Sequence, residues 1–240
     1  MLGVFDLLNK SWEVYKDKFG TLVSITAIQV VGNFVIGLIG ILITIVTSVS
    51  LSSLQTGLQS SKLMGWGLWF LVFAVFLLPV IVFNIWASIA LIFAISDREE
   101  NIGIGTSFRR AWSQLVSMIW VDILRGLAIF VGFLLLVIPG IIFSIWFVFS
   151  RYVLVAENKK GTGALKASKK LVEGHWWDVL GRVVFLGLVA LVVGAILGFV
   201  PLVGQLAVSL LLPPFSATFL FMLYEDLKKE KSGEVVSSEL

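Results

Sequence analysis

Long apolar runs separated by short basic segments set the pattern of this chain. Residues 22–49 and 66–95 are each long enough to cross a bilayer as helix, as are 116–138, 177–199 and 205–224. A shorter run, 141–156, completes a set of six. The yardstick is a hydrocarbon core of about 30 Å, which needs roughly 20 helical residues. Pro139-Gly140 divides the third run from the fourth, and Pro201 with Gly204 divides the fifth from the sixth. Proline disfavours helix in the residue before it, so both sites predict hairpin turns. The expected fold class is an all-α integral membrane protein with six transmembrane helices, in one domain over 1–227 with a polar tail at 228–240.

Three segments just ahead of odd-numbered runs have a different pattern. Phe5, Leu8, Trp12, Tyr15 and Phe19 recur at helical spacing, as do Phe108, Trp112, Leu115 and Ile119, and Leu165, Ser168, Val172 and Trp176. Lys10, Glu13 and Lys16, then Arg109, Arg110 and Gln114, then Lys166, Lys169, Lys170 and Glu173 occupy the opposite faces. An apolar stripe opposite a charged face predicts an amphipathic helix lying in the membrane interface. Thr106 or Ser107, and Thr162, are the expected N-caps. Together these give three units of interfacial helix plus hairpin, at about 3–95, 105–156 and 163–227.

The charges orient the chain. Fifteen Lys and Arg fall on one side of the spans: Lys10, Lys16, Lys18, Arg98, Arg109, Arg110, Lys159, Lys160, Lys166, Lys169, Lys170, Arg182, Lys228, Lys229 and Lys231. Only Lys62 falls on the other. Lys/Arg bias places the basic side in the cytoplasm, so both termini are expected there, in a prokaryotic cell membrane. Trp66 and Trp69 mark the outer boundary; Trp12, Trp112, Trp176 and Trp177 mark the inner one. Residues 3–19 carry Asp6, Glu13 and Asp17, unlike the apolar core of a cleaved signal peptide.

Composition agrees with this reading. Hydrophobic residues make up 58% of the 240 and charged residues 14%, with mean hydropathy +1.02, against about 25% charged in soluble domains. The net charge of +3 would suit nucleic acid, but the charges flank membrane runs, so no nucleic-acid partner is expected. With no cysteine and one histidine, His175, a thiolate site is excluded. His175 lacks the companions a metal or general base needs, and reads as an interfacial residue. Asp97, Glu99 and Glu100 read as a solvated turn. No cofactor, no metal and no enzyme activity are expected.

The informative residues are charges inside the spans, which are costly and often functional. They are Asp122, Arg125 and Arg151. Each central Asp or Arg costs about 2.5–3.5 kcal/mol, and each Leu, Ile, Phe or Val returns roughly 0.3–0.6 kcal/mol. Residues 116–138 hold fifteen of those four types, worth about 4.5–9 kcal/mol, so this span inserts with both of its charges. Counted at 1.5 Å per residue from the run ends that flank the Pro139 turn, Ile138 and Ile141, Asp122 lies about 24 Å inward, Arg125 about 20 Å and Arg151 about 15 Å. Arg151 therefore needs a partner. The expectation is one ionic network of Asp122, Arg125, Arg151 and Glu157, which locks the hairpin or binds a headgroup or anionic solute. Asn84 is a candidate interhelical hydrogen-bonding residue. Pro213-Pro214 is expected to interrupt or kink the sixth span, and Gly194-x-x-x-Gly198 would permit close helix approach. Lys166, Lys169, Lys170, Trp176 and Trp177 are the candidate headgroup-binding residues.

Between 134 and 180, Ile138-Pro139-Gly140, Glu157, Ala164-Leu165, Ser168, Leu171, Gly174 and Trp176-Trp177 form a spaced set. With LLNKSWEVYKDKFGTL near the start and LYEDLKK near the end, this set resembles the membrane domain found with glycerophosphoryl diester phosphodiesterases, and related uncharacterised prokaryotic membrane proteins. The resemblance implies a membrane domain that in some proteins is fused to a hydrolase. No phosphodiesterase barrel follows here, so that activity is not carried over, and no catalytic residue maps onto this chain. The expected role is non-catalytic: organising membrane lipids, through anionic headgroups, or a membrane protein partner at the inner leaflet. The alternative is a transporter or channel for a small anionic or amphipathic solute.

Overall fold

The computed structural model describes residues 2–55, 62–97 and 103–238, and among these it is helical with no strand. Trp66, Trp69 and the side chain of Lys62 fall outside the described side chains, as do Arg98, Glu99 and Glu100. Six helical stretches are long and apolar enough to cross a membrane: Phe19–Ser48, Val75–Ser96, Ile104–Leu135, Val137–Glu157, Trp176–Gly198 and Val203–Gly233. The chain is an all-α, multi-pass membrane protein.

The helices are α1 (Val4–Asp17), α2 (Phe19–Gln55), α3 (Lys62–Ser96), α4 (Ile104–Leu135), α5 (Val137–Trp146), α6 (Ser150–Glu157), α7 (Thr162–Val172), α8 (Trp176–Gly198) and α9 (Val203–Ser238). Helices α2–α3, α4–α5 and α8–α9 pack as hairpins, and α9 also touches α1, α2, α3 and α7. The polar 228–240 segment is no separate tail, because α9 continues through it to Ser238.

The core lies towards one end of the bundle. Leu22, Ile25, Ile89, Ile95, Met118, Leu154, Phe219, Leu223 and Leu227 are fully buried together. Towards the hairpin tips, by contrast, Phe34, Ile41, Leu134, Ile138, Leu191 and Leu202 are exposed. Such a surface is stable only against hydrocarbon. The basic side chains gather at the packed end. Lys18 donates to the carbonyl oxygens of Ala94 (3.0 Å) and Asp97, closing the end of α3. Arg110 pairs with Asp97 at 2.6 Å, and Arg182 donates to the Leu2 carbonyl at 2.6 Å.

Several local expectations change. In α1 the buried face is Leu7, Ser11 and Tyr15, whereas Phe5 and Trp12, and Phe19 at the start of α2, are exposed. The aromatic stripe is therefore split: Tyr15 packs inward against Phe215 of α9, while Phe5 and Trp12 stay largely exposed although their rings meet Phe185 of α8 and Phe215 at 6.2 and 6.1 Å. Ser107 in α4 and Ser168 in α7 are buried as Ser11 is. The second amphipathic segment is no separate interfacial helix: it runs unbroken into the span within α4. Breaks do follow the first and third, at Lys18 and at Gly174, whose φ of +89° suits glycine. The N-caps are Gly103 and Gly161, not Thr106, Ser107 or Thr162.

The α8–α9 turn falls at Pro201 as expected, but the turn of the second hairpin is displaced. The α4–α5 turn is Leu136, and Pro139 lies in the first turn of α5, where its missing N–H costs nothing. Phe147–Phe149 breaks the fourth span into α5 and α6, which the sequence pattern does not announce. Pro213 and Pro214 do not interrupt the sixth span; α9 is continuous through them. Gly194 and Gly198 meet no neighbouring helix.

Candidate functional site

Asp122 and Arg151 meet across the second hairpin. Arg151 donates from Nε to Asp122 Oδ1 at 2.8 Å and from a terminal nitrogen to Oδ2 at 3.0 Å. This two-point geometry is the strongest that an arginine and a carboxylate form. The position of the turn explains it. Leu136 lies fourteen residues after Asp122 and fifteen before Arg151, which puts the two on opposite arms at one level. That level is about 21 Å from the tip. Taking Pro139 as the turn makes the two appear staggered.

Arg125 sits one helical turn from Asp122 on α4, about 4.5 Å nearer the tip. It is partly buried, within electrostatic range of Asp122, Arg151 and Tyr152, and forms no hydrogen bond or ion pair among the described residues.

Glu157 does not join them. It lies six residues beyond Arg151, roughly 9 Å further from the tip, and belongs to a second cluster. Tyr224 of α9 donates to Glu157 Oε1 at 2.6 Å, Lys228 lies 2.9 Å from the same oxygen, and Lys159 lies 2.8 Å from Oε2. The expected single network is thus two, separated by more than a turn of helix. Tyr224 and Lys228, supplied from 67 and 71 residues away, carried no sequence signal beyond the LYEDLKK string.

The second cluster opens into a basic cavity. Val153, Glu157, Lys159, Ala167, Lys170, Leu171, Lys228, Lys231 and Ser232 line a space of about 620 Å³. Four lysines and one carboxylate line it, and two of the lysines, Lys159 and Lys228, pair with that carboxylate. Helix α7 positions Lys170 because Ala164, Leu165, Ser168 and Val172 are buried on its other side. Ser168 locks that face: its hydroxyl donates to the Trp146 carbonyl at 2.7 Å and accepts from the Phe149 N–H at 3.2 Å. Those contacts fall on the break between α5 and α6. Lys231 reaches across to donate to the Glu173 carbonyl at 2.7 Å.

The other headgroup candidates are dispersed. Lys169 lies 4.2 Å above the Trp146 ring as a cation–π pair, and Lys166 is exposed. Trp176 and Trp177 line a separate, mostly apolar cavity of about 620 Å³ with Ile138, Ile141, Trp146 and Leu180.

No family model matches this chain, and neither a curated protein nor a solved structure does.

Elsewhere, Asn84 forms a polar clasp between the first two spans. It exchanges hydrogen bonds with Asn33 (2.9 and 3.2 Å), accepts from Gln29 at 2.7 Å, and donates to the Val80 carbonyl at 2.8 Å. Both the oxygen and the nitrogen of the Asn84 side-chain amide are occupied. His175 lies 3.4 Å from Glu230. Among the described residues no group of three or more His, Cys, Asp or Glu could hold a metal ion.

Proposed function

We propose that this protein is a non-catalytic membrane protein that gathers anionic lipid headgroups at the inner leaflet of a prokaryotic cytoplasmic membrane, with both termini in the cytoplasm. The observation that carries the reading is the cavity that Lys159, Lys170, Lys228 and Lys231 line together with Glu157. Glu157 balances one lysine charge and fixes Lys159 and Lys228 in place, leaving a surplus of positive charge. Near a membrane surface each such lysine contributes about 1 kcal/mol towards anionic lipid. The cavity's apolar residues, Val153, Ala167 and Leu171, suit the glycerol end of a lipid.

The resemblance of residues 134–180 to membrane domains associated with glycerophosphodiester hydrolysis belongs to the same proposal. A membrane-bound partner that handles phospholipid headgroups would fit it. Transport of an anionic solute is less well supported. It needs a polar passage to Arg151 or Asn84, yet Asn84 is fully occupied within its clasp, and neither residue lines the cavities described above.

Lipid enrichment tests the reading. Wild-type protein in mixed nanodiscs should retain phosphatidylglycerol over phosphatidylcholine when extracted and analysed by mass spectrometry. The Lys170→Gln/Lys231→Gln variant should lose most of that selectivity while keeping its helicity. Equal phosphatidylglycerol retention by the variant and the wild type would count decisively against the basic cavity.

A further inference from the structure

We infer that Arg125, with the outward edge of Arg151, forms a second anion site inside the membrane that takes a phosphate group. The inference starts from charge. Asp122, Arg125 and Arg151 together carry a net positive charge in a span of apolar residues, and Asp122 commits both oxygens to Arg151. Arg125 is left with all five N–H donors free of any partner among the described residues. A guanidinium among apolar helices whose neighbouring carboxylate is already committed elsewhere is costly, and such a group marks a candidate site for a bound anion. Asp122 is the one carboxylate within electrostatic range of Arg125; the other groups acting on it are Arg151 and Tyr152. Tyr152 is occupied, donating to the Ala217 carbonyl at 3.3 Å.

The position identifies the ligand chemistry. Arg151 keeps 36% of its side chain exposed although it is paired, so donors not used by Asp122 remain reachable. The two guanidinium groups act on each other electrostatically, and each presents a planar fork of the kind that matches the oxygens of a phosphate. Trp120 marks the level of the loop before α7, since a Cβ built on Gly161 would lie 3.3 Å from its ring. Arg125 is five residues further along α4, about 7.5 Å deeper. A phosphate drawn one turn and a half below the interface can still be attached to acyl chains that stay in the hydrocarbon. A soluble phosphate would have to leave water altogether.

This site is independent of the basic cavity, and the experiment separates the two. Native mass spectrometry of detergent-purified protein would titrate phosphatidylglycerol, with phosphatidylcholine as the zwitterionic control, against wild type, Arg125→Gln, Arg125→Lys and Lys170→Gln/Lys231→Gln. Arg125→Gln should weaken one phosphatidylglycerol binding event roughly tenfold or more. Arg125→Lys should recover part of it, and the lysine variant should leave this event intact. Because Arg125 holds no protein partner, its removal should not unfold the chain; melting in detergent checks this. A parallel arm adds inorganic phosphate without lipid. Phosphate protection that depends on Arg125 assigns a free anion to the same site, and its absence assigns the lipid. Unchanged responses of Arg125→Gln to both phosphatidylglycerol and phosphate would overturn the inference.

Discussion

The pair Asp122–Arg151 shows how a membrane changes the energetics of a single contact. In water an exposed ion pair contributes at most about 1 kcal/mol. In hydrocarbon the contact itself is not the main quantity, because what matters is the state left when one partner goes. Asp122→Leu strands Arg151 beside Arg125, two like charges without a carboxylate. We expect a loss of about 3 kcal/mol, the lower end for a broken buried pair, since Arg151 remains partly exposed. The double variant Asp122→Leu/Arg151→Leu removes both charges and should recover most of that loss. Thermal melts in one detergent would compare the three. If the double variant is less stable than Asp122→Leu alone, the pair is not acting as a mutual charge partner. The double variant also removes Arg151 from the proposed anion site, so the phosphate response is scored in the Arg125 variants, where the Asp122–Arg151 pair is intact.

The hairpins explain which features could be foreseen from the chain and which could not. Run lengths and Lys/Arg placement define spans because lipid penalises every exposed peptide group and every charge, wherever the partner helices lie. The Asp122–Arg151 contact was accessible for the same reason: a midspan charge must find its opposite nearby. The exact turn was not, since Leu134, Leu135, Leu136, Val137 and Ile138 are uniformly apolar and only backbone geometry selects Leu136. Nor was the division of Glu157 from Arg125, which depends on Tyr224 and Lys228 arriving from α9. On the amphipathic segments Tyr15, Leu115, Leu165, Ser168 and Val172 lie on the expected stripes and are buried; Ser11 and Ser107 give no such signal because they look polar, yet Ser11 bonds back to the Leu7 carbonyl at 2.6 Å and packs inward. Glycines discriminate the turns from the open helix faces. A Cβ at Gly204 would sit 1.7 Å from the Leu197 carbonyl oxygen, and backbone cannot yield as a side chain can. Gly204→Ala should therefore destabilise by about 1–3 kcal/mol. Gly194→Ala, which meets nothing within 4 Å, should stay within about 1 kcal/mol of the parent. Equal melting temperatures for both variants would mean that the α8–α9 turn is not held as described.

Packing and charge together divide the molecule along its length, and this polarity makes the orientation testable. Buried residues concentrate where Lys18 closes α3, Arg182 holds the Leu2 carbonyl and Lys231 reaches the end of α7. The opposite end consists of hairpin arms whose Leu and Phe side chains are exposed. A protein built this way can rest its packed basic end against one leaflet's headgroups while its hairpins extend towards the other. Both proposed anion sites then belong to the same leaflet: the lysine cavity at its surface, and Arg125 about a turn and a half beneath the loop before α7. The chain has no cysteine, so single-cysteine variants report position without background. In intact cells a membrane-impermeant maleimide should label Ser60→Cys, in the polar 49–62 stretch between the first two spans, and should leave Lys160→Cys and Lys229→Cys unlabelled until the membrane is opened. Cysteine at Leu136 should react poorly from either side, because its neighbours are apolar for several residues in both directions. Labelling of Lys160→Cys from outside would invert the molecule, put the lysine cavity in the outer leaflet and remove the basis for an inner-leaflet role, while leaving the Arg125 chemistry to be judged by lipid titration alone.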